Sequence, residues 1–266
     1  MIDFSDHLVV VRGGGDIGSG VVWRLRRVGL PVVVLELERP LTIRRTVAYS
    51  TAVTAGCIVI DGIEGRRVAS PQEAFAMAMR GTVPVLVSPQ IPDMDLSVIV
   101  DARLAKRNLG TTIDQAPFVV ALGPGFSAGA ECHAIVETKR GHDLGRVIWE
   151  GSAHANTGEP GTIGGASADR VIHAQMDGDL AWDVTFGDVV RHGQVLGEVD
   201  GSAVRSKIDG TVRGLLLPGS VTKGLKIADI DPRSDPTAVH RISDKSLSVG
   251  GGVLEAILVW LTSAVQ

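Results

Sequence analysis

Gly13, Gly15 and Gly18 are set at G-x-G-x-x-G spacing in "LVVVRGGGDIGSGVVWRLRRVG", between an apolar run and an amphipathic one. Between a strand and a helix, that spacing has a definite use. The first glycine permits a tight turn, the second lets backbone approach a pyrophosphate, and the third lets the helix pack close to the strand. The helix N-terminus then turns N–H groups and a positive dipole end toward an anion. The candidate cofactor-binding residues are therefore Gly13, Gly14, Gly15, Asp16, Ile17, Gly18 and Ser19. Glu36, near the end of the next apolar run, is placed to accept from ribose hydroxyls, with Glu38 one strand period further on. Such a carboxylate repels a 2′-phosphate, which favours NAD over NADP. Arg12 and Asp16 are unusual in a phosphate loop, because Asp16 would repel a phosphate unless it binds a sugar, a metal or a capped N–H. The alternative is a strand-to-helix corner that binds nothing.

A second glycine loop, "ALGPGFSAG", follows another apolar run and adds Gly123 and Gly125 as candidates. If both loops end parallel strands, they can face one crevice, although a sharp turn around Pro124 would use the same residues. Cys132-His133 comes directly after. A thiol near a helix terminus and a histidine can have a lowered pKa, which makes Cys132 the candidate nucleophile or chalcogen carrier. Cys57, in "GCIVI", reads as strand core. The histidines show no H-x3-H or H-E-x-x-H spacing, so no metal site is expected. "GHDLGR" packs His142, Asp143 and Arg146 into a polar turn that could touch a ligand.

These residues need elements to hold them. Val9–Val11 and "PVVVLELE" read as buried parallel strands, and Ile17, Val21, Val22, Leu25 and Val28 recur at helical spacing between them. "LTIRRTVAYSTAV" reads as helical, "CIVI" as a strand, and "SPQEAFAMAMRG" as a helix with Ser70 as N-cap, Pro71 at N1 and Glu73 at N3. Strands follow at Val83–Val87, Val98–Val100 and Pro117–Leu122. The expectation is an α/β, Rossmann-like, doubly wound parallel sheet over residues 1–168, with a β-hairpin extension from about 131. "SAHANTGEPGTIGGASAD" reads as a linker.

After the linker, "MDGDLAWDVTFGDVVRHGQVLGEV" overlays "IDGTVRGLLLPGSVTKGLKIADI" at a step of 31 to 32 residues, as in Gly193 to Gly224 and Gly178 to Gly210. Two such β units cannot each bury a face alone and should close on one another. The rhythm resembles the barrel-sandwich hybrid of biotinyl and lipoyl domains, placed at 169–235. The hairpin "VDGSAV" carries no lysine, so covalent biotin or lipoate is not expected. Residues 236–266 read as a glycine turn and an apolar helix that packs back on the body.

Composition narrows the classes. With 266 residues, a net charge of −4, pI near 6.0 and mean hydropathy of +0.22, the chain has no basic balance for nucleic acid. "MIDFSDHL" has no basic n-region, and the apolar run Val253–Leu261 contains Glu255 and is too short for a bilayer. A cytoplasmic protein without membrane or nucleic-acid partners is expected.

Taken together, "VVVRGGGDIGSGVVWRLRRVGLPVVVLELERPLTIRRTVAYSTAV", "ALGPGF", "ETKRGHDLGRVIWEGSAHANTGEPG" and "GLKIADIDPR" resemble the YqeB family over nearly the whole chain and in the same order. The resemblance implies an accessory protein of the selenium-dependent molybdenum hydroxylase system. Its first domain would be similar to the maturation factors of xanthine and carbon monoxide dehydrogenases. It implies the molybdenum cofactor as ligand at Gly13–Ser19 and the apo-hydroxylase as partner. An NAD(P)-dependent oxidoreductase is the rival reading, and neither brings an established reaction.

Overall fold

The computed structural model describes residues 4–156, 169–233 and 235–263. The chain forms two compact units, one of Met1–Pro40, Ala48–Asn156 and Ile242–Gln266, the other of Leu41–Val47 and Thr157–Arg241. The expected linker falls mostly on 157–168, outside the described residues.

In the first unit nine strands form one sheet; its central members, apolar along most of their length, are buried on both faces, while the edge strands are partly exposed. The strands are β1 (Val9–Arg12), β2 (Val32–Glu36), β3 (Cys57–Ile60), β4 (Ile63–Val68), β5 (Val83–Val87), β6 (Val98–Asp101), β7 (Phe118–Leu122), β8 (Ala134–Val136) and β9 (Val147–Ile148). The sheet order is β3-β4-β5-β2-β1-β6-β7-β8-β9. Helices α1 (Asp16–Arg27), α2 (Ala52–Ala55), α3 (Pro71–Ala78) and α4 (Asp244–Ser263) complete the unit. One core joins Val9, Val11, Val21, Val22, Val249 and Val253; the other, on the opposite face, joins Val10, Val33, Ala74, Ala78 and Ile99.

This corrects the expected Rossmann-like, doubly wound parallel sheet. Both edge strands run antiparallel, β3 against β4 and β9 against β8. The connections from β5 to β6, β6 to β7 and β7 to β8 contain no α-helix. Each face thus has helices, α1 and α4 on one and α3 on the other, but the later crossovers are loops, which apolar patterning in the strands cannot reveal.

"LTIRRTVAYSTAV" is also not one helix. Its only α-helical part is α2, after 3-10 turns at Arg45–Val47 and Tyr49–Thr51. Tertiary bonds compete: Leu215 donates its N–H to Ile43, and Arg45 Nε donates to the Leu215 carbonyl at 2.8 Å.

The apolar run Val253–Leu261 is part of a longer helix than the sequence suggests. By length and composition, Pro236–Ser263 could cross a membrane. In this fold Val249, Val253, Ala256 and Ile257 of α4 are wholly buried in the core. α4 lies on α1 backbone to backbone: a Cβ on Gly20 would stand 2.5 Å from the Ser246 carbonyl oxygen, and one on Gly250 would stand 2.6 Å from the Gly20 oxygen.

The second unit contains β10 (Val171–His173), β11 (Gly178–Trp182), β12 (Val189–Val190), β13 (Val195–Val199), β14 (Ser202–Arg205), β15 (Gly210–Leu215), β16 (Gly219–Val221) and β17 (Lys226–Asp231). They form two four-stranded antiparallel sheets, β10-β17-β15-β12 and β14-β13-β11-β16. The first copy of the repeat supplies β11, β12 and β13, the second β15, β16 and β17. The short middle strands are exchanged: β12 pairs with β15, and β16 pairs with β11. Leu180, Leu196 and Val199 of one copy thus share a core with Val212, Ile227 and Ile230 of the other. The turn at Asp200-Gly201, with φ of 45° and 77°, closes the lysine-free hairpin.

Candidate functional site

The loop from β1 into α1 lies at the carboxyl edge of the sheet, where the strand order reverses. From β1 the chain builds outward through β2 on one side, and β6 to β8 stand on the other. Such a switch point is where open α/β sheets bind ligands.

Three of the four glycines answer to the fold itself. Gly13 sits at φ +101°, donates its N–H to the Leu35 carbonyl and leaves 3.1 Å between a Cβ and the Ala102 oxygen. A Cβ on Gly14 would meet Val34 Cγ1 at 2.8 Å and Ser50 N at 2.9 Å, and one on Gly18 would run into the Gly13 carbonyl oxygen. Gly15 differs. It is the N-cap of α1 at φ −68° and ψ −175°, a conformation open to any residue, and it provides no side-chain cap.

The remaining loop residues are tied inward. Asp16 Oδ1 accepts from the buried Ser246 hydroxyl at 2.9 Å, which gives that carboxylate a structural partner on α4. Ile17 is buried in the core, so only its backbone can reach a ligand. Ser19 Oγ donates to the Gly14 carbonyl and accepts from Tyr49 N. Glu36 accepts Gly14 N–H on Oε1 and Leu37 N–H on Oε2, each at 2.8 Å. Burial raises its pKa, and the two N–H bonds offset this only in part. Glu36 Oε1 thus braces the glycine loop, while Oε2 is occupied by the next residue of its own chain segment.

Beside the loop lies a polar cluster that sequence reasoning missed. Arg12 stands opposite Asp101 in the β1–β6 register. Asp101 is buried and receives Arg103 Nε at 3.0 Å, Arg103 Nη2 at 2.5 Å and Thr111 Oγ1 at 2.6 Å. The Thr111 hydroxyl also accepts from Arg12 Nη1 at 2.9 Å and from Arg103 Nη2 at 3.0 Å. Burial pushes the Asp101 pKa up, but the bonds from Arg103 and Thr111 outweigh it and hold the carboxyl below its ordinary range. Burial, with Arg103 nearby, lowers the Arg12 pKa. The available signal was a charged pair ending an apolar strand, "VIVDAR".

Gly123 and Gly125, after β7, lie on the same edge, and the atoms a Cβ on either would meet first lie outside the first loop. Gly123 has φ +70° and its Cβ would collide with Thr138 Oγ1; Gly125 has φ +109° and its Cβ would stand 2.7 Å from Arg107 N. Residues 102–111 run between the two loops, with Leu104 and Lys106 at positive φ of 53° and 62°.

The thiol expectation is corrected. Cys132 has no exposed surface, and burial, reinforced by Glu131, pushes its thiol up to about 12. A neutral buried thiol is no nucleophile. Cys57, read as core, is exposed, because β3 is an edge strand whose side chains are half in solvent. His133 is structural: its Nδ1 accepts Val119 N–H at 3.0 Å, and its ring lies 5.4 Å from that of Phe118.

No family model matches the chain. Solved structures with some likeness include an aspartoacylase family protein from Mesorhizobium loti, 14% identical over 84% of each chain, with a TM-score of 0.29. A succinylglutamate desuccinylase from Silicibacter is 11% identical over 84% of each chain, with a TM-score of 0.28. Scores this low do not amount to a shared fold. "Uncharacterized protein YqeB" of Escherichia coli K12 is 45% identical over 98% of this chain, which spans 49% of that relative's length. The chain is thus similar to that protein along nearly its whole sequence, and spans about half of that protein's length.

Proposed function

We propose that this chain is a cytoplasmic accessory protein of a molybdenum hydroxylase system, selenium-dependent by family resemblance. It would hold a nucleotide-bearing or molybdenum cofactor at the β1–α1 loop for delivery to the apo-hydroxylase. Gly15 carries the reading. Gly13 needs its positive φ and a Cβ on Gly14 or Gly18 would clash, whereas Gly15 has a backbone conformation open to any residue and caps a helix that has no side-chain cap. Close approach of an anionic group to that backbone accounts for both facts. The NAD(P) oxidoreductase reading draws less support, because the carboxylate it needs for the ribose, Glu36, already accepts an N–H on each oxygen.

Calorimetry with NAD, NADP and molybdopterin dinucleotides tests this on wild type and Gly15→Val. The variant should fold, since φ −68° suits valine, and it should lose binding of whichever cofactor wild type retains. Identical responses of both proteins to all of these ligands would reduce the loop to a corner.

A further inference from the structure

Glu137 follows β8 at the same carboxyl edge and is almost wholly buried. Its Oε1 accepts the backbone N–H groups of Thr138 and Lys139, both at 2.6 Å. Its Oε2 receives the His154 backbone N–H and lies 2.8 Å from His154 Nδ1. Burial pushes the Glu137 pKa up, but these bonds outweigh it and keep the carboxyl ionised. A carboxylate only accepts, so Nδ1 carries the proton and the Nε2 lone pair points away. Half of the His154 side chain is exposed, and Nε2 lies 3.9 Å from Asp143 Oδ2.

That separation is too long for a direct hydrogen bond, yet one oxygen about 2.8 Å from each atom fits between them. A water placed there would donate one hydrogen to Nε2 and the other to Asp143, and would leave a lone pair facing outward. The turn carrying these groups is anchored. Arg140 pairs with Asp244 at 2.7 and 2.9 Å, Ser248 Oγ donates to the Leu144 carbonyl at 3.0 Å, and Arg146 Nε holds Asp143 at 3.2 Å. Two exposed cations stand close by, Lys139 two residues after Glu137 and Arg146 in its pair with Asp143. Among the described residues no group of three His, Cys, Asp or Glu is placed to hold a metal ion.

We propose that His154, positioned by Glu137 and assisted by Asp143, is the general base of a hydrolytic site for a phosphoric ester or anhydride. The water oxygen bonds to phosphorus as its proton passes to Nε2. The phosphorus–oxygen bond to the leaving group breaks on the opposite side, the leaving oxygen takes a proton from solvent water, and the imidazolium releases its proton to solvent. Glu137 balances the imidazolium charge throughout. The site is independent of which cofactor the β1–α1 loop takes.

Turnover of p-nitrophenyl phosphate and bis(p-nitrophenyl) phosphate, with p-nitrophenyl acetate as uncharged control, tests it. Wild type should hydrolyse a phosphoester at a rate that falls on acidification. His154→Ala, a half-exposed position that leaves the Glu137 backbone bonds intact, should lose about 100-fold or more. Glu137→Gln should lower kcat with KM unchanged, and the acid limb of its pH profile should move. Phosphoester turnover no faster than buffer, turnover of the acetate alone, or a wild-type rate in His154→Ala would overturn the proposal. A Glu137→Gln chain that does not fold leaves His154→Ala to decide. Cofactor binding, read by calorimetry, stands or falls separately.

Discussion

The glycines of the β1–α1 corner and those of the repeat in the second unit do different physical work. At the corner three of the four answer a contact found nowhere else: Gly13 to Ala102, Gly14 to Val34 and Ser50, Gly18 to Gly13. In the repeat the same conformation occurs twice. Gly178 and Gly210 have φ of 154° and 158°, Gly193 and Gly224 have 80° and 85°, and the latter two face open space. A corner is specified by unique close approaches, and a repeat by recurring turn geometry. Changes at the corner should therefore be severe and particular, and those in the repeat mild and matched.

Gly18→Ala should have the largest effect, more than about 3 kcal/mol of stability, because the new methyl meets a backbone oxygen that cannot move alone. Urea unfolding measures it, and a loss under 1 kcal/mol would show that the corner gives way.

Asp101→Asn should come next, at about 2–3 kcal/mol near neutral pH, since it leaves Arg103 and Thr111 around an uncharged buried group. The pH dependence adds detail. The folded pKa of Asp101 lies below its unfolded value, so its contribution is complete above about pH 4 and is lost as pH falls towards the folded value. Glu36 runs the other way. Its folded pKa is raised, so its titration favours the fold as pH falls through that value. Asp101→Asn should flatten the acid loss of stability and Glu36→Gln should steepen it, as read by unfolding between about pH 3 and 6. Parallel shifts in the two variants would contradict the opposite signs.

Gly193→Ala and Gly224→Ala should cost least, about 1 kcal/mol each, which is the expense of a left-handed conformation with no steric clash. Thermal unfolding should give nearly equal losses. A difference beyond about 1 kcal/mol would show that the two copies of the turn are not equivalent.

Local signals carried a good part of the fold into the sequence. Ser70 does cap α3, accepting Glu73 N–H at 3.2 Å, while Glu73 accepts Ala69 N–H at 2.9 Å. The repeat is visible because turns that need positive φ select glycine at the same step. What stayed hidden depends on partners distant in sequence. Nothing near Val189 or Gly219 announces that β12 and β16 trade sheets. Nothing near residue 45 shows that Leu215 will break a helix, and nothing near Cys57 shows that its strand has a neighbour on one side only. At the candidate site, the glycine spacing and Glu36 were readable, but the bracing use of Glu36 was not. Asp101, Arg103 and Thr111 converge only after β1 and β6 pair, and Glu137 meets His154 only after the turn between them is anchored.

The contact between α1 and α4 has a consequence for how the chain is made. Asp16 and the serine that bonds it, Ser246, are 230 residues apart in sequence. During synthesis α1 leaves the ribosome long before its helical partner exists. Until then the face that will take α4, with Gly20 at its closest point, has only water or a chaperone to cover it. The nascent chain therefore carries an unfinished apolar surface until α4 has been made, and contacts this distant in sequence close late and slowly.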